Sequence, residues 1–454
     1  MEVHIMAPVD QVTIISDHIL DRCYYDEVNG RFSSGDALLD RIWQVGIDTY
    51  LGCAEDALTD NPTRERGQWL GDFGIVGMQI GSVGFHDIGI CRRGLVQSAQ
   101  SARSDGMVAG LCPGGEAYLS TYAAQWVSAC MEYWKVTGDK TILKELFVPA
   151  QRNMDAFSLY FNEHGISLEA GWPFVDWGYV PNEGPSDMGL NLHVYMATRA
   201  MQEWAMLMGE PALSSKYEEM ADRLYAIITT YFDSHRNAGG YNWPQIGYHR
   251  TVLGILTGFI PESQHGKAVG HIKDHIMNCF PNNPDAPRLS DPGANNPQLI
   301  TPYFSHYAFP VLIENGEMDF VLDQYKTSWG WMLEGDKTTW IEVYDSRWSH
   351  CHQWAGSPTW QMSRYLLGLQ PRFHIAENNF DLVLHPGTLT QSEGTLPLPD
   401  GGMIDVKWET IQGEIHYELT TTVPLVVNVP ESLNASVAGT TRVTDRLRIT
   451  IPQR

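Results

Sequence analysis

The residues best suited to chemistry lie in one stretch, Thr59-Asp60-Asn61-Pro62-Thr63-Arg64-Glu65-Arg66-Gly67-Gln68-Trp69-Leu70-Gly71-Asp72. Three carboxylates, two arginines and a tryptophan fall within fourteen residues that also hold one Pro and two Gly. Such a broken backbone argues against an ordinary solvated helix face. Pro62 suits the first position of a helix capped by Asn61, and on that helix Glu65, Trp69 and Asp72 share a face. Gly67 and Gly71 make a loop nearly as good a reading, and in either form the three residues cluster. A Glu beside two Asp is the arrangement that raises a carboxyl pKa. The shift matters because a free Glu, with a reference value of about 4.3, is protonated only roughly 0.2% of the time at pH 7. The competing reading is a capped helix start with surface ion pairs.

Further candidates sit in other Gly- and Pro-broken stretches. Trp172-Pro173-Phe174-Val175-Asp176-Trp177-Gly178-Tyr179 is aromatic with one acid. It suits a platform for a sugar ring with Asp176 on a hydroxyl and Trp177 on the ring face, or a packed loop whose Asp caps a helix. Thr338-Thr339-Trp340-Ile341-Glu342 offers a second carboxylate beside an indole, and Ser349-His350-Cys351-His352-Gln353-Trp354 follows closely. The two His and the Cys raise the question of a metal, but no third and fourth ligand stand at sensible spacing, so no metal or other cofactor is expected. His352 more simply gives a hydrogen bond to a hydroxyl. No G-x-S-x-G elbow, P-loop or dinucleotide fingerprint is present. Carboxylates with indoles point to glycosidic bonds, which are cleaved by one acid that protonates the leaving oxygen and one base that activates water.

The elements that must position these groups occupy a chain of 454 residues, enough for one large domain and a smaller one. A formal charge of −24 argues against nucleic acid and anionic membrane surfaces as partners. The seven Cys form an odd number without C-x-x-C pairs and read as reduced, mostly buried thiols. There is no secretory signal in the chain as it stands and no apolar run long enough for a membrane span, so a cytoplasmic protein is expected. A homo-oligomer is left open.

Residues 1–30 contain Val12-Thr13-Ile14-Ile15 and end in Asn29-Gly30, which reads as a β-strand segment, a remnant of an upstream β-domain or a piece packed on the C-terminal one. From Ser34 the spacing turns helical, with Leu38, Leu39, Ile42 and Val45 on one face. Helix pairs follow: Tyr118–Val136 with Lys140–Asn162, Leu190–Met208 with Ala212–Phe232, then pairs around 251–279 and 302–334. Pairs of this kind joined by varied connections predict antiparallel hairpins closed into an α/α toroid over 31–371, since the chemical residues lie in linkers that converge on one end. Past Pro371 short β-branched runs separated by turns such as Asp400-Gly401-Gly402 predict an antiparallel β-sandwich over 372–454.

On these residues the chain resembles glycoside hydrolase family 78, the α-L-rhamnosidases of the six-hairpin superfamily, whose catalytic domain is an (α/α)6 barrel followed by a C-terminal β-sandwich. The family's Asp-Cys-Pro, Arg-Glu, Trp and Gly-Asp pattern is matched by Asp60-Asn61-Pro62, Arg64-Glu65, Trp69 and Gly71-Asp72. Its Thr-Thr-x-x-Glu segment recurs as Thr338 to Glu342, and its His-aromatic-x-Gly-Ser as His352 to Ser357 with one extra residue. Asn61 stands where the family usually has Cys, and the β-domains that normally precede the barrel are missing save for the first thirty residues. The resemblance covers about residue 30 to the C-terminus and implies exo-acting, inverting release of a terminal α-L-rhamnose from glycosides or oligosaccharides. It makes Glu65 the general acid and Glu342 the general base. Asp60, Arg64, Trp69, Asp72, Trp177 and His352 then line the pocket for a terminal deoxy sugar, with Trp126 a weaker candidate; Asp176, Trp340 and Trp354 join them from the linkers. The alternatives are a same-fold glycosidase for another sugar, a non-catalytic sugar-binding protein on this scaffold, and an α/α-barrel epimerase whose only support is the His-x-His.

Overall fold

The computed structural model describes residue 13 and residues 22–452 apart from 114–116, 183 and 291–295. The strand expected at Val12–Ile15 lies outside the described residues except for Thr13, which has no regular structure. The first strand is Arg31–Ser33, after the Asn29-Gly30 pair.

Helix α1 (Ala37–Cys53) starts where the Asp36 side chain accepts from the backbone N–H groups of Leu38 and Leu39. It buries Leu39, Ile42 and Val45, while Leu38, expected on the same face, is turned 38% out to solvent. A π-helical turn, Gly71–Gly77, runs into α2 (Met78–Gly84), and α3 (Gly89–Gln100) returns beside it. The next hairpins are α4 (Ser120–Thr137) with α5 (Thr141–Leu159) and α6 (Met188–Leu207) with α7 (Pro211–Ser234). Gly138, at φ 74°, ends α4 in the left-handed conformation, and Pro211 opens α7, which is the asymmetry expected of helix ends. A short α8 (Trp243–Ile246) leads into α9 (Tyr248–Leu256) and α10 (His265–Met277). Then come α11 (Ser305–Glu314), α12 (Met318–Gln324), the single turn α13 (Gly330–Met332) and α14 (Ser357–Tyr365).

These helices alternate between two rings. α2, α4, α6, α9, α11 and α14 each touch the next, and α14 closes onto α2. Burial separates the rings: α14 buries all nine of its residues, whereas α7 buries only seven of 24 and carries an amphipathic face. Because inner and outer helices alternate in sequence, the inner ones run the same way. The stretches 60–70, 172–187, 296–304 and 338–356 each precede an inner helix, so they gather at one end of the toroid.

The C-terminal part forms two sheets. Strands 31–33, 391–397, 403–411, 414–421 and 446–452 pair antiparallel in the order 31–33, 391–397, 403–411, 414–421, 446–452. The second sheet takes 439–443, 425–429, 379–382 and 369–371. The C-terminal β-sandwich expected from the sequence is present, and within its antiparallel pairings Leu425–Val429 runs parallel to Asn379–Leu382. Between them the chain passes through three strands of the other sheet, and such a crossover allows a parallel return. Alternate residues Ile404, Val406 and Trp408 are buried, and Trp408 Nε1 donates to Leu366 O at 2.6 Å, which ties the sheet to the end of α14. Among the described residues no helix is long and apolar enough to cross a membrane.

α1 closes the ring from outside by packing on α14, and Gly46 is where they meet: a Cβ there would collide with Thr359 Oγ1, which donates to Trp43 O at 3.1 Å. A helix-interior Gly→Ala change ordinarily adds up to about 1 kcal/mol of stability. At this position overpacking, worth about 1–3 kcal/mol, outweighs that gain. Gly46→Ala is therefore expected to lower the midpoint of thermal unfolding; an unchanged or higher midpoint would show that the α1–α14 contact has slack.

Candidate active site

The Asp60–Gly67 segment is a closed loop. Asp60 N donates to Gly67 O at 2.8 Å and Gly67 N donates to Asp60 Oδ1 at 2.7 Å, so one residue clamps both ends. Asn61 Oδ1 accepts from the backbone N–H groups of Thr63 (3.2 Å) and Arg64 (2.6 Å), and its Nδ2 donates to Asp60 Oδ2. This is the N-cap chemistry read in the sequence, yet no helix follows. Arg66 sits at φ 53°, and Gln68–Trp69 pair as a strand with Leu111–Cys112. The helix reading of 62–72 is thus corrected to a loop, strand and π-turn, because the Asp60–Gly67 clamp and the left-handed Arg66 fold the chain back. Glu65 and Trp69 nonetheless meet, with Trp69 Nε1 donating to Glu65 Oε2 at 3.1 Å.

The facing loop, 338–354, is pinned to α1 and to itself. Trp340 N donates to Thr49 Oγ1 (2.9 Å), His352 N to Trp340 O (3.0 Å), and Glu342 N to Ser349 O (2.9 Å). Trp354 Nε1 donates to Glu342 O at 2.8 Å, and the indole stacks on Tyr303 with centroids 4.9 Å apart. Glu342 is thereby held with its side chain 4% exposed.

Arg64 joins the two loops. Its Nη2 lies 2.9 Å from Glu342 Oε2, its Nε donates to Ser349 Oγ at 2.9 Å, and its Nη1 stands 3.8 Å from Glu65 Oε1. Glu65 is 45% exposed at the side chain, whereas its partner across the arginine is buried. Behind this pair His352 Nε2 lies 2.9 Å from Asp72 Oδ1 and Nδ1 lies 3.5 Å from Glu342 Oε2, both short of hydrogen-bond alignment. Burial and the charges of Glu342 and Glu65 push the Asp72 carboxyl well above the usual range. Burial, with the neighbouring Asp72 charge, raises Asp60 to about 7. Burial lowers His352, against the opposing pull of Glu342. The carboxyls pushed up are therefore the two sealed aspartates.

Around this centre the other expected residues separate into two groups. Trp69 and Trp177 are half-buried, and Trp177 meets Trp348 edge-on at 5.3 Å, beside the exposed Trp172. Asp176 instead is sealed, with a side chain at 0% exposure, taking hydrogen bonds from Thr301 Oγ1 (2.6 Å), Trp177 N (2.9 Å) and His249 Nε2 (3.0 Å). It braces three loops rather than presenting an open oxygen. Trp126 is fully buried with its Nε1 donating to Leu95 O at 2.9 Å, and Trp340 is fully buried against Gly46. Both are core, because indoles on helix faces and pinned strands are drawn inward by their area. Trp354 is a wall behind Glu342.

The sequence did not point to Tyr122, His249 or Trp348. Tyr122 is buried against Gly71, where a Cβ would collide with the phenol oxygen, and it meets Trp69 edge-on at 6.5 Å. It sits inside the regular apolar pattern of α4, which gives no hint of a site. All seven cysteines are free thiols; Cys53 Sγ and Cys351 Sγ lie 3.9 Å apart behind the two loops. Among the described residues no group of three His, Cys, Asp or Glu side chains could hold a metal.

The raised Asp60 has a sign that can be checked. Its folded value of about 7 lies above the unfolded value of about 3.9, so its stabilising contribution is full below about pH 4 and is lost as pH rises through 7. In Asp60→Asn the thermal midpoint should fall less between pH 5 and pH 8 than in the wild type. Equal falls in both proteins would show that Asp60 is ionised throughout.

The fold just described has known counterparts. Residues 27–286 match the family model described as the bacterial alpha-L-rhamnosidase 6 hairpin glycosidase domain. Among solved structures, the chain is similar to a family 78 rhamnosidase of Bacillus sp. GL1, at 23% identity and a TM-score of 0.75, over 90% of this chain and 43% of that one. It is also similar to the α-L-rhamnosidase of Dictyoglumus thermophilum (17% identity, TM-score 0.75, 94% and 51% covered). The Streptomyces avermitilis α-L-rhamnosidase complexed with L-rhamnose gives 16% identity and a TM-score of 0.74, with 93% and 42% covered. The chain thus spans about half the length of these structures or less. No curated protein sequence matches it. With more than half of its residues inside the family model, the chain belongs to the family of bacterial α-L-rhamnosidase six-hairpin glycosidase domains.

Proposed function

We propose that this chain hydrolyses terminal α-L-rhamnosides by a single, inverting displacement, with Glu65 as general acid and Glu342 as general base. The observation that carries the reading is Arg64, whose guanidinium faces both carboxyls at once. Through that one planar group the nearest carboxyl oxygens stand no farther apart than about 9 Å, an upper bound compatible with the ~6.5–9.5 Å separation that leaves room for a water in inverting glycosidases.

The two acids differ in the way the reaction needs. Glu65 is open to the leaving group and is oriented by the Trp69 N–H, which occupies Oε2 and leaves Oε1 for the glycosidic oxygen. Glu342 is buried, ion-paired and backed by His352, so its lone pair is aimed at one place, where an attacking water would sit. The sealed Asp60 and Asp72 hold the floor. Gln125 Nε2 donates to Tyr307 OH at 3.0 Å, which links the inner helices α4 and α11. The half-buried indoles of Trp69 and Trp177 offer apolar faces for the C–H side and the methyl of a deoxy sugar. Rhamnose itself is supported by family membership and by the L-rhamnose named in the Streptomyces avermitilis complex.

Leaving-group dependence separates the two roles. Glu342→Gln should cut kcat by about 10²–10⁴ on every rhamnoside. Glu65→Gln should do so on an alkyl α-L-rhamnoside but much less on p-nitrophenyl α-L-rhamnoside, whose acidic leaving group needs little protonation. Proton NMR of the first product should show β-L-rhamnose. Near wild-type rates in both variants, or α-L-rhamnose as the first product, would overturn the proposal.

A further inference from the structure

Beneath the layer made by Gln125, Tyr303 and Tyr307 the ring opens again, into a cavity of about 500 Å³. It lies among α4, α6, α11, α14 and the π-helical turn that leads into α2, and is closed at the side by the strand Leu369–Pro371. Its volume falls in the range of small-molecule sites, ~300–1,000 Å³. Gln125 and Tyr307 line it, whereas none of the carboxylates, Arg64, His352 or the indoles assigned above to hydrolysis does.

Several of the ionic groups in its wall already have partners. Glu132 accepts from Gln79 Nε2 at 3.0 Å, Glu314 from Tyr365 OH at 3.0 Å, and Arg364 Nη2 donates to Ser82 Oγ at 2.9 Å. What the fold leaves over is mostly neutral. Gln125 Oε1, His193 Nε2, His306 Nδ1 and Trp360 Nε1 have no hydrogen-bond partner, and neither has Arg364 Nε. Gln125, His193, Trp360 and Arg364 are each more than nine-tenths buried. Unpartnered buried polar atoms are rare, and five around one cavity require an occupant.

The wall also indicates what kind. Burial holds His193 and His306 down to about 3, so both imidazoles are neutral and each offers one donor and one acceptor. An anion would meet the carboxylates of Glu132 and Glu314 as well as the cations Lys135, Arg364 and Arg372, so the wall carries charge of both signs and selects neither. An apolar molecule would strand every leftover donor and acceptor. A hydroxyl both gives and accepts, and the Trp360 indole, 5.2 Å from the His306 ring, provides a face for C–H groups. We propose that the base of the barrel is a second binding site for a neutral polyhydroxylated molecule of monosaccharide size, separate from the hydrolytic pocket at the other end.

The test uses the intact chain and L-rhamnose, L-fucose and D-glucose as probes, followed by calorimetry and saturation-transfer NMR. Two base variants are compared, Ser128→Phe, which fills the cavity, and His193→Phe, which keeps a ring but removes its nitrogens; Asp72→Asn disables the upper pocket. At least one sugar should bind saturably to Asp72→Asn, and its affinity should drop by about tenfold or more when either base substitution is added. A crystal soaked with that sugar above its Kd should show it against His193, whether or not both base variants fold. No saturable binding to Asp72→Asn, an affinity indifferent to both base substitutions, or only water in the soaked cavity would overturn the inference. Rhamnoside hydrolysis without base binding would sink this inference alone, and base binding without hydrolysis would sink only the proposed function.

Discussion

The arrangement depends on how four acids share one small space. Asp60, Asp72, Glu65 and Glu342 approach one another closely enough that their full ionisation together would be strongly unfavourable. The fold resolves this by position. Two aspartates are sealed where desolvation favours the protonated form, and the one nearby guanidinium faces the two glutamates, in direct contact with Glu342. The buried Glu342 therefore keeps a counter-ion and a neighbouring imidazole, the conditions under which a buried carboxylate is tolerated. Removing Arg64 would leave that group uncompensated, so the arginine is as much part of the site's electrostatics as either glutamate.

The toroid supplies the precision. Both site loops lead into inner helices, and their main chains are fixed by the Asp60–Gly67 clamp, which combines a backbone bond with one to the Asp60 carboxylate, on one side, and by the Glu342–Ser349 and His352–Trp340 backbone bonds on the other. Inner-helix N-termini point toward the same end, where their partial positive charge favours acidic residues. Asp176 ties the aromatic linker to His249 at the start of α9 and to Thr301 in the linker before α11. A site on loops is thus made rigid by the ring beneath it.

Much of this was legible in the sequence, for physical reasons that also mark where legibility ends. The hairpins were readable because helix period and end chemistry agree at Gly138 and Pro211. The two carboxylate loops were readable because acids, indoles and helix breakers rarely coincide. Asn61 carried a true capping signal, but only the long-range clamp from Asp60 decides that the bend it caps is not a helix. The parallel pairing of Leu425–Val429 with Asn379–Leu382 is absent from local pattern, since period 2 is blind to strand direction. Trp126 and Trp340 share their residue type with Trp69 and Trp177, and only packing tells which indole faces the core. Tyr122 and His249 were hidden for the opposite reason, inside segments whose apolar spacing accounts for them fully.

If Arg64 and Glu342 act as one unit, a double-mutant cycle of Arg64→Met and Glu342→Gln, read in kcat/KM on an alkyl α-L-rhamnoside, will reveal it. The double variant should lose scarcely more than Glu342→Gln alone, because the arginine's contribution runs through that carboxylate. Losses that simply multiply would show two independent groups and contradict it.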